Sequence, residues 1–290
     1  MSGTGRRALL RGGALLLARP AVAGMALPRV AVLDWGLAQT VLALGIVPAA
    51  MPDPADYRRW VVEPALPDGI PDTGSRLQPN VEALAALRPD LILLGGDGEP
   101  AEAALRRVAP VLRLTVYAPD RDVWAHGAAA ARAIGTALDR ADAAGALVAA
   151  AERDMDAARH ALSGRAVPPL LLASYADTRH LRVYGQGSIL HAALGRMGLR
   201  NAWTGPTGTW GSATVGIDRL AAFPDAVLVS FDPAPPGVVA ALGESPLWRA
   251  LPFGGAGRTV ALPPVLMFGT LPAAQRFARL LVPRLLSAAP

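Results

Sequence analysis

Val81-Glu82-Ala83-Leu84-Ala85-Ala86-Leu87-Arg88-Pro89-Asp90-Leu91-Ile92-Leu93-Leu94 reads as an amphipathic helix with an acid in its first turn, a Pro-Asp turn and an apolar strand. The same unit returns, one residue shorter before its turn, at Ile217-Asp218-Arg219-Leu220-Ala221-Ala222-Phe223-Pro224-Asp225-Ala226-Val227-Leu228-Val229. Each copy runs into a Gly/Pro-rich loop. Two copies of one helix–strand unit, far apart in the chain, predict two similar lobes. The crevice between two lobes is where a small ligand binds.

Working outward, the pattern alternates as parallel sheets with helices on both faces require. A strand is expected over 29–35, a helix over 38–44 ending at Gly45, and a loop rich in proline and aromatics over 57–71. After the first unit come a helix over 101–107 and a strand over 111–117. Residues 122–162 carry no strand signal and predict two helices, broken near Asp139-Arg140, the second linking the lobes. Past Pro168-Pro169 strands are expected over 170–174 and 181–184 and a helix over 188–197. The second unit supplies a strand over 226–231; a strand over 259–262 and a helix over 271–286 close the chain. The fold class is α/β: two Rossmann-like lobes joined by one long helix, with the ligand cleft between them. The domains are an export segment 1–23, an N-terminal lobe 24–140, a linking helix 141–165 and a C-terminal lobe 166–290. A helical link is stiff, so small hinge motion is expected rather than wide opening. Ligands in such sheets lie at the carboxyl ends of strands, which puts the weight on the loops there.

Composition narrows the class. The 290 residues are 52% hydrophobic and 18% charged, enough chain for a packed core. Arg6-Arg7 precede the apolar Gly12-Gly13-Ala14-Leu15-Leu16-Leu17-Ala18, and Ala21-Val22-Ala23 offers a cleavage site before Gly24. Paired arginines fit a twin-arginine export signal; an ordinary secretory signal would also take the chain out of the cytoplasm. Cysteine is absent, which removes disulfides, thiolate metal sites and a lipid-bearing cysteine together. The periplasm is the expected compartment, with the mature protein free and monomeric. The net charge of +5 falls to about +1 once the four arginines of the first 23 residues are removed, and that is no nucleic-acid footprint.

Three further stretches carry a family likeness: Tyr57-Arg58-Arg59-Trp60-Val61-Val62-Glu63-Pro64-Ala65-Leu66-Pro67-Asp68, Thr209-Trp210-Gly211-Ser212-Ala213-Thr214-Val215-Gly216-Ile217-Asp218-Arg219-Leu220, and Asn201-Ala202-Trp203 together with Ser245-Pro246-Leu247-Trp248-Arg249-Ala250-Leu251-Pro252-Phe253. Together they resemble the periplasmic ferric-hydroxamate, ferrichrome-type, siderophore-binding proteins, helix-linked (class III) substrate-binding proteins of ABC importers. The resemblance implies a rigid carrier that takes a preformed Fe(III)–siderophore chelate into an aromatic cleft and delivers it to an inner-membrane ABC permease. No separate cofactor, catalytic residue or protein-ligated metal is implied. Matched by position, Trp60 and Trp210 fall on cleft tryptophans, and Arg76 falls on the arginine that meets the oxygens around the iron. The residue types suit such a ligand. A guanidinium donates several hydrogen bonds from a fixed fork and keeps its charge, and indoles give large apolar contact. Trp35, at the expected end of the first strand, is a further cleft candidate, with a core role as its rival. Trp203 and Trp248 read as structural.

Where the family has a tyrosine donor after the first unit, this chain has Asp97 in Gly95-Gly96-Asp97-Gly98. Near Pro263-Pro264-Val265, where the family has Trp and Tyr, it has Leu266, Met267 and Phe268. The expected cleft is more aliphatic, and its ligand is a related chelate other than ferrichrome, one that presents amines or hydroxyls to Asp97. The resemblance also implies an acid on each lobe that docks the permease, at Glu102 and Asp218; for Asp218 an acid favouring a helix dipole is the rival reading.

His126, His160, His180 and His191 show no metal-ligand spacing, and His126 and His160 read as solvated positions on helices. Nucleophile-elbow, phosphate-loop and zinc-protease signatures are missing from the sequence. Gly185-Gln186-Gly187-Ser188 before a helix reads as an anion seat or a tight turn. Two alternatives stay open: another bulky chelate such as haem or a corrinoid, for which Tyr184 or His180 is the only axial-ligand candidate, and a periplasmic siderophore-ester hydrolase.

Overall fold

The computed structural model describes residues 28–254 and 258–287. The export segment and its cleavage point before Gly24 lie outside the described residues.

In the first half, β1 (Val30–Val32), β2 (Leu91–Gly95) and β3 (Val111–Leu114) form a parallel sheet in the order β1-β2-β3. A parallel bridge from Ala31 to Ala50 continues the β1 edge. Five helices accompany it: α1 (Trp35–Ala43), α2 (Pro54–Trp60), α3 (Val81–Leu87), α4 (Glu99–Leu105) and α5 (Val123–Ala137). Then α6 (Ala141–Ala161) runs about 30 Å at the α-helical rise. The second half holds β4 (Leu170–Tyr175), β5 (His180–Tyr184), α7 (Ile189–Arg196), β6 (Ser212–Gly216), β7 (Val227–Phe231), α8 (Val238–Glu244), α9 (Pro246–Ala250), β8 (Thr259–Leu262) and α10 (Leu271–Ser287). Its sheet runs β6-β5-β4-β7-β8, with β4, β7 and β8 parallel and β5 and β6 antiparallel.

The repeated sequence units occupy equivalent places. Their strands, β2 and β7, are each the middle of a parallel triplet, β1-β2-β3 and β4-β7-β8. A strand in that place is covered on both faces, which is why both read as near-continuous apolar runs. The second lobe differs by the two antiparallel strands added at the β4 edge.

Three local expectations are corrected and one strand is added. Trp35 does not end a strand: β1 stops at Val32 and Trp35 opens α1, because the Asp34 carboxylate accepts from Leu37 N at 2.8 Å and caps the helix there. Residues 54–60 are helix rather than loop, started by Pro54 at its first position. The second unit's helix is a 3₁₀ turn, Ile217–Ala222, with no side-chain cap. The segment after Trp210, for which the sequence suggests no element, pairs with β5 as β6.

A layer of helices ties the halves. α5, α7 and α10 pack against α6 and one another, and α1 packs on α5 and α10. One apolar core runs through this layer, from Val32 in β1 through Ile134, Met155 and Phe277 to Leu172 in β4. Polar contacts pin the same seam. Thr40 and Thr270 hydroxyls meet at 2.8 Å, Tyr117 OH donates to Gly269 O at 2.9 Å, and Arg121 donates to Thr207 Oγ1 at 2.6 Å and Thr207 O at 2.8 Å. Buried Arg276 of α10 pairs with Glu63 and donates through Nε to Pro264 O at 2.7 Å. Close-packed interiors resist sliding, so the layer holds the mutual position of the two sheets.

Candidate functional site

Three adjoining cavities of about 380, 550 and 470 Å³ lie along the junction of the two halves and share lining residues, forming one cleft. Phe268 lines all three; Asp34, Asp97 and Trp210 are common to the first and second; Trp35, Arg76, Arg182 and Leu266 to the second and third. Trp60 lines the third. All seven residues singled out for ligand contact, Trp35, Trp60, Arg76, Asp97, Trp210, Leu266 and Phe268, therefore stand on this one surface.

Local structure explains their placement. Arg76 rides a short turn closed by the bridge between Gly74 and Pro79, and Gly74 takes the positive φ of 82° that the turn needs. Its guanidinium carbon sits 4.1 Å from the Trp35 ring centroid, a cation–π stack. Trp35 is itself fixed by Nε1 donating to Pro52 O at 3.0 Å and by an edge contact with Tyr57. Trp60 ends α2, half-buried, with Arg59 over its ring. Across the cleft Trp210 packs on Tyr117 (centroids 5.0 Å) and Phe268 (5.5 Å). That cluster draws on the segment after β3, the loop before β6 and the loop after β8. Gly211 fixes Trp210: its φ is 66°, and a Cβ there would lie 2.1 Å from Ser188 N. The Gly185–Ser188 stretch is thus a packing turn. Ser188 caps α7, accepting from His191 N at 3.1 Å, while the Gln186 carbonyl takes Arg121.

The acidic end is built around Gly95. A Cβ there would stand 2.9 Å from Asp34 Oδ2 and 3.0 Å from Asp97 Oδ1, so two carboxylates converge where a side chain would otherwise be. Burial pushes the Asp34 carboxyl up to about 6; the Asp97 charge adds to this, while the Leu37 N–H and the Arg76 charge oppose it. The cleft thus has a basic stretch at Arg76 and an acidic one at Asp34 and Asp97.

Sequence reasoning misses Asp34, Tyr117 and Arg182 as cleft residues, and the exposed Leu77 beside Arg76. A large apolar residue next to the chosen arginine, in a stretch of polar ones, is the one available signal. Of the haem-ligand candidates, Tyr184 lines the third cavity, but its hydroxyl donates to Ser174 Oγ at 3.1 Å and burial pushes it up to about 12, against the Ser174 bond and the charge and hydrogen bond of Arg182. His180 pairs with Asp177 outside the cleft. His126 is not simply solvated: its ring nitrogens meet Val116 O and Asp120 Oδ2, each at 3.2 Å. Trp203 and Trp248 are buried. Glu102 is largely covered and held by Arg106 and, at 3.0 Å, Arg113, whereas Asp218 is exposed at the start of its 3₁₀ turn.

Two α/β lobes, one linking helix, a shared helical core and a cleft of rings and opposed charges define a helix-linked, two-lobed binding protein. The chain belongs to the periplasmic binding protein family, whose profile matches residues 30–266. It is 35% identical over 253 residues to the iron(3+)-hydroxamate-binding protein FhuD of Escherichia coli strain K12, covering 87% of this chain and 85% of that one. Among solved structures it is similar to the Fe3+–Desferal-bound siderophore-binding protein FhuD from Vibrio cholerae, with a TM-score of 0.85 and 29% identity over 91% of this chain and 99% of that one. The periplasmic haem-binding protein BhuT, in complex with two haems, is similar at a TM-score of 0.66 and 28% identity, over 87% and 98% of the two chains.

Proposed function

We propose that this protein is a periplasmic solute-binding protein that captures a ferric siderophore of the hydroxamate type and hands it to an inner-membrane ABC permease. One observation carries the reading: Arg76, which forms no ion pair among the described residues, stacked on Trp35 in a cleft whose other wall is the Tyr117–Trp210–Phe268 ring cluster. A ferric tris-hydroxamate is coordinatively saturated, so the protein need supply no metal ligand. Its iron-bound oxygens accept from a guanidinium and its organic frame rests on rings. Two or three rings and one charge-assisted bond contribute about 6–10 kcal/mol, a range that runs from tens of micromolar to tens of nanomolar and spans micromolar binding. The FhuD relatives support the same chemistry.

Asp34 and Asp97 set the ligand apart from ferrichrome. Two carboxylates repel iron-bound oxygens, so the chelate turns amine or hydroxyl groups to that end. Asp218 and Glu102 serve as the docking acids; Glu102 does so by exchanging its internal arginines for those of a permease. The protein acts as a carrier, not an enzyme, and as a monomer.

Tryptophan quenching tests the reading: apo-protein is titrated with ferrioxamine B, ferrichrome and haemin. Saturable quenching by ferrioxamine B at micromolar or lower concentration, stronger than for ferrichrome, is expected. A Soret shift with haemin and no response to either hydroxamate would replace this reading with the haem one.

A further inference from the structure

The cleft holds a second guanidinium. Arg182 is the middle residue of β5, between Leu181 and Val183, both fully buried. Strand alternation turns those two into the core of the lobe and Arg182 the other way, onto the wall of the two larger cavities that Arg76 also lines. Its guanidinium carbon lies 6.0 Å from the Phe268 ring centroid. Like Arg76, it forms no ion pair among the described residues. The arrangement is paired: each lobe contributes one arginine, each arginine lies near an aromatic ring of the cleft, and neither is closed into an ion pair, although Asp34, Asp53 and Asp97 line the second cavity with them and the Arg76 charge acts on Asp34. Like charges lining one space repel, and a guanidinium's five donors want acceptors. Arg182 meets the Tyr184 hydroxyl and Arg76 feels the charges of Asp34 and Asp53, but neither is paired directly, and an oxygen-rich anionic group held between the two would take the donors left over.

We infer that Arg182 is a ligand-contacting residue that closes on the chelate's anionic oxygens from the C-terminal lobe, opposite Arg76; this rests on the carrier reading above. The ligand class follows: a ferric chelate with acceptor oxygens on two sides. The second set is either another edge of the iron's oxygen shell or a carboxylate on the chelate's periphery.

The test titrates wild type, Arg182→Met and Arg182→Lys with ferrioxamine B and with its N-succinyl derivative, which adds a tail carboxylate, while thermal melting of each apo-protein is followed. Arg182→Met should weaken binding about tenfold with its melting temperature unchanged, and Arg182→Lys should recover part of the loss. Equal weakening for both chelates assigns Arg182 to the iron's oxygen shell; weakening of the succinylated one alone assigns it to the peripheral carboxylate. Affinities within twofold of wild type for both overturn the inference while leaving the carrier reading standing. A wild type that binds neither chelate removes the carrier reading and this inference with it.

Discussion

The Arg76 guanidinium sits over the ring of Trp35, its carbon 4.1 Å from the centroid, although one residue rides a turn and the other opens a helix after the first strand. Arg76 forms no ion pair among the described residues, so its donors stay open to a ligand. Hydrogen bonds to charged groups contribute about 1.5–3 kcal/mol. Arg76→Met should therefore weaken a ferric hydroxamate about tenfold to a hundredfold. Apo stability should change little, because Arg76 is exposed. Isothermal titration beside urea unfolding separates the two effects; equal losses in both would make Arg76 a structural residue.

Gly211 governs Trp210 from the next position. A side chain there would press on Ser188 N and the Gly187 carbonyl carbon, both backbone, so no rotamer change relieves it. Left-handed backbone adds about 1 kcal/mol for a non-glycine residue. Gly211→Ala should destabilise by about 2 kcal/mol or more and shift Trp210 off Tyr117, lowering the fraction of fluorescence that ligand quenches. An unchanged urea midpoint would contradict the packing described.

Much of this is readable in the chain because the informative segments are long or repeated. The helix–turn–strand units set two parallel triplets, and the strandless stretch yields α5 and α6 with their break in place. Misreadings come where few residues decide. Asp34 looks like the continuation of an apolar strand, yet it caps a helix, the strand stops at Val32, three residues early, and Trp35 becomes a helix residue. α2 has seven residues between prolines, and tertiary packing of Tyr57 rather than local propensity holds it. Arg182 escapes notice because a charged residue alternating with apolar ones in a strand reads as a solvent-face position. The meeting of Asp34 and Asp97 at Gly95 is a product of β1–β2 pairing, which no local pattern encodes.

The docking acids differ in what they must give up. Asp218 is exposed, while Glu102 is bound by Arg106 and Arg113. Asp218→Arg should cut iron uptake in cells strongly and leave chelate affinity within twofold. Glu102→Arg should do the same and also lower the melting temperature by a few degrees, since it leaves two arginines facing a third charge. Loss of chelate affinity in either variant would argue against docking.

Glu63 gives an acid-sensitive seam. Burial pushes its carboxyl up, but hydrogen bonds and charge from Arg276 and Arg279 outweigh that and hold it below its usual value of 4.5. A depressed carboxyl stabilises the fold at pH above the unfolded value, and the contribution fades as pH falls from about 4.5 through the lower folded value. Wild type should therefore lose melting temperature between pH 5 and 3 more steeply than Glu63→Gln, which starts lower at pH 7 because it leaves buried Arg276 without its charge partner. Parallel melting curves for the two proteins would exclude this pair as a source of acid lability.

Asp34 works in the opposite sense and bears on the ligand. Its carboxyl is raised by burial to about 6, so the folded protein holds that proton more firmly than the unfolded chain. Its ionisation costs stability as pH rises from its usual 3.8 to about 6, and the cost is complete above that. Asp34→Asn, which keeps a capping oxygen for α1, should gain melting temperature over wild type at pH 7.5 and lose most of that gain at pH 4. Above pH 6 a second negative charge stands beside Asp97. A chelate with a pendant ammonium, such as ferrioxamine B, should bind wild type more tightly at pH 7.5 than at pH 5, whereas its N-acetylated, uncharged form should not. In Asp34→Asn the pH dependence should flatten. If the acetylated chelate shows the same rise as the ammonium form, the acidic end does not meet the ligand's cation, and the choice against ferrichrome has to come from Leu266 and Phe268 instead.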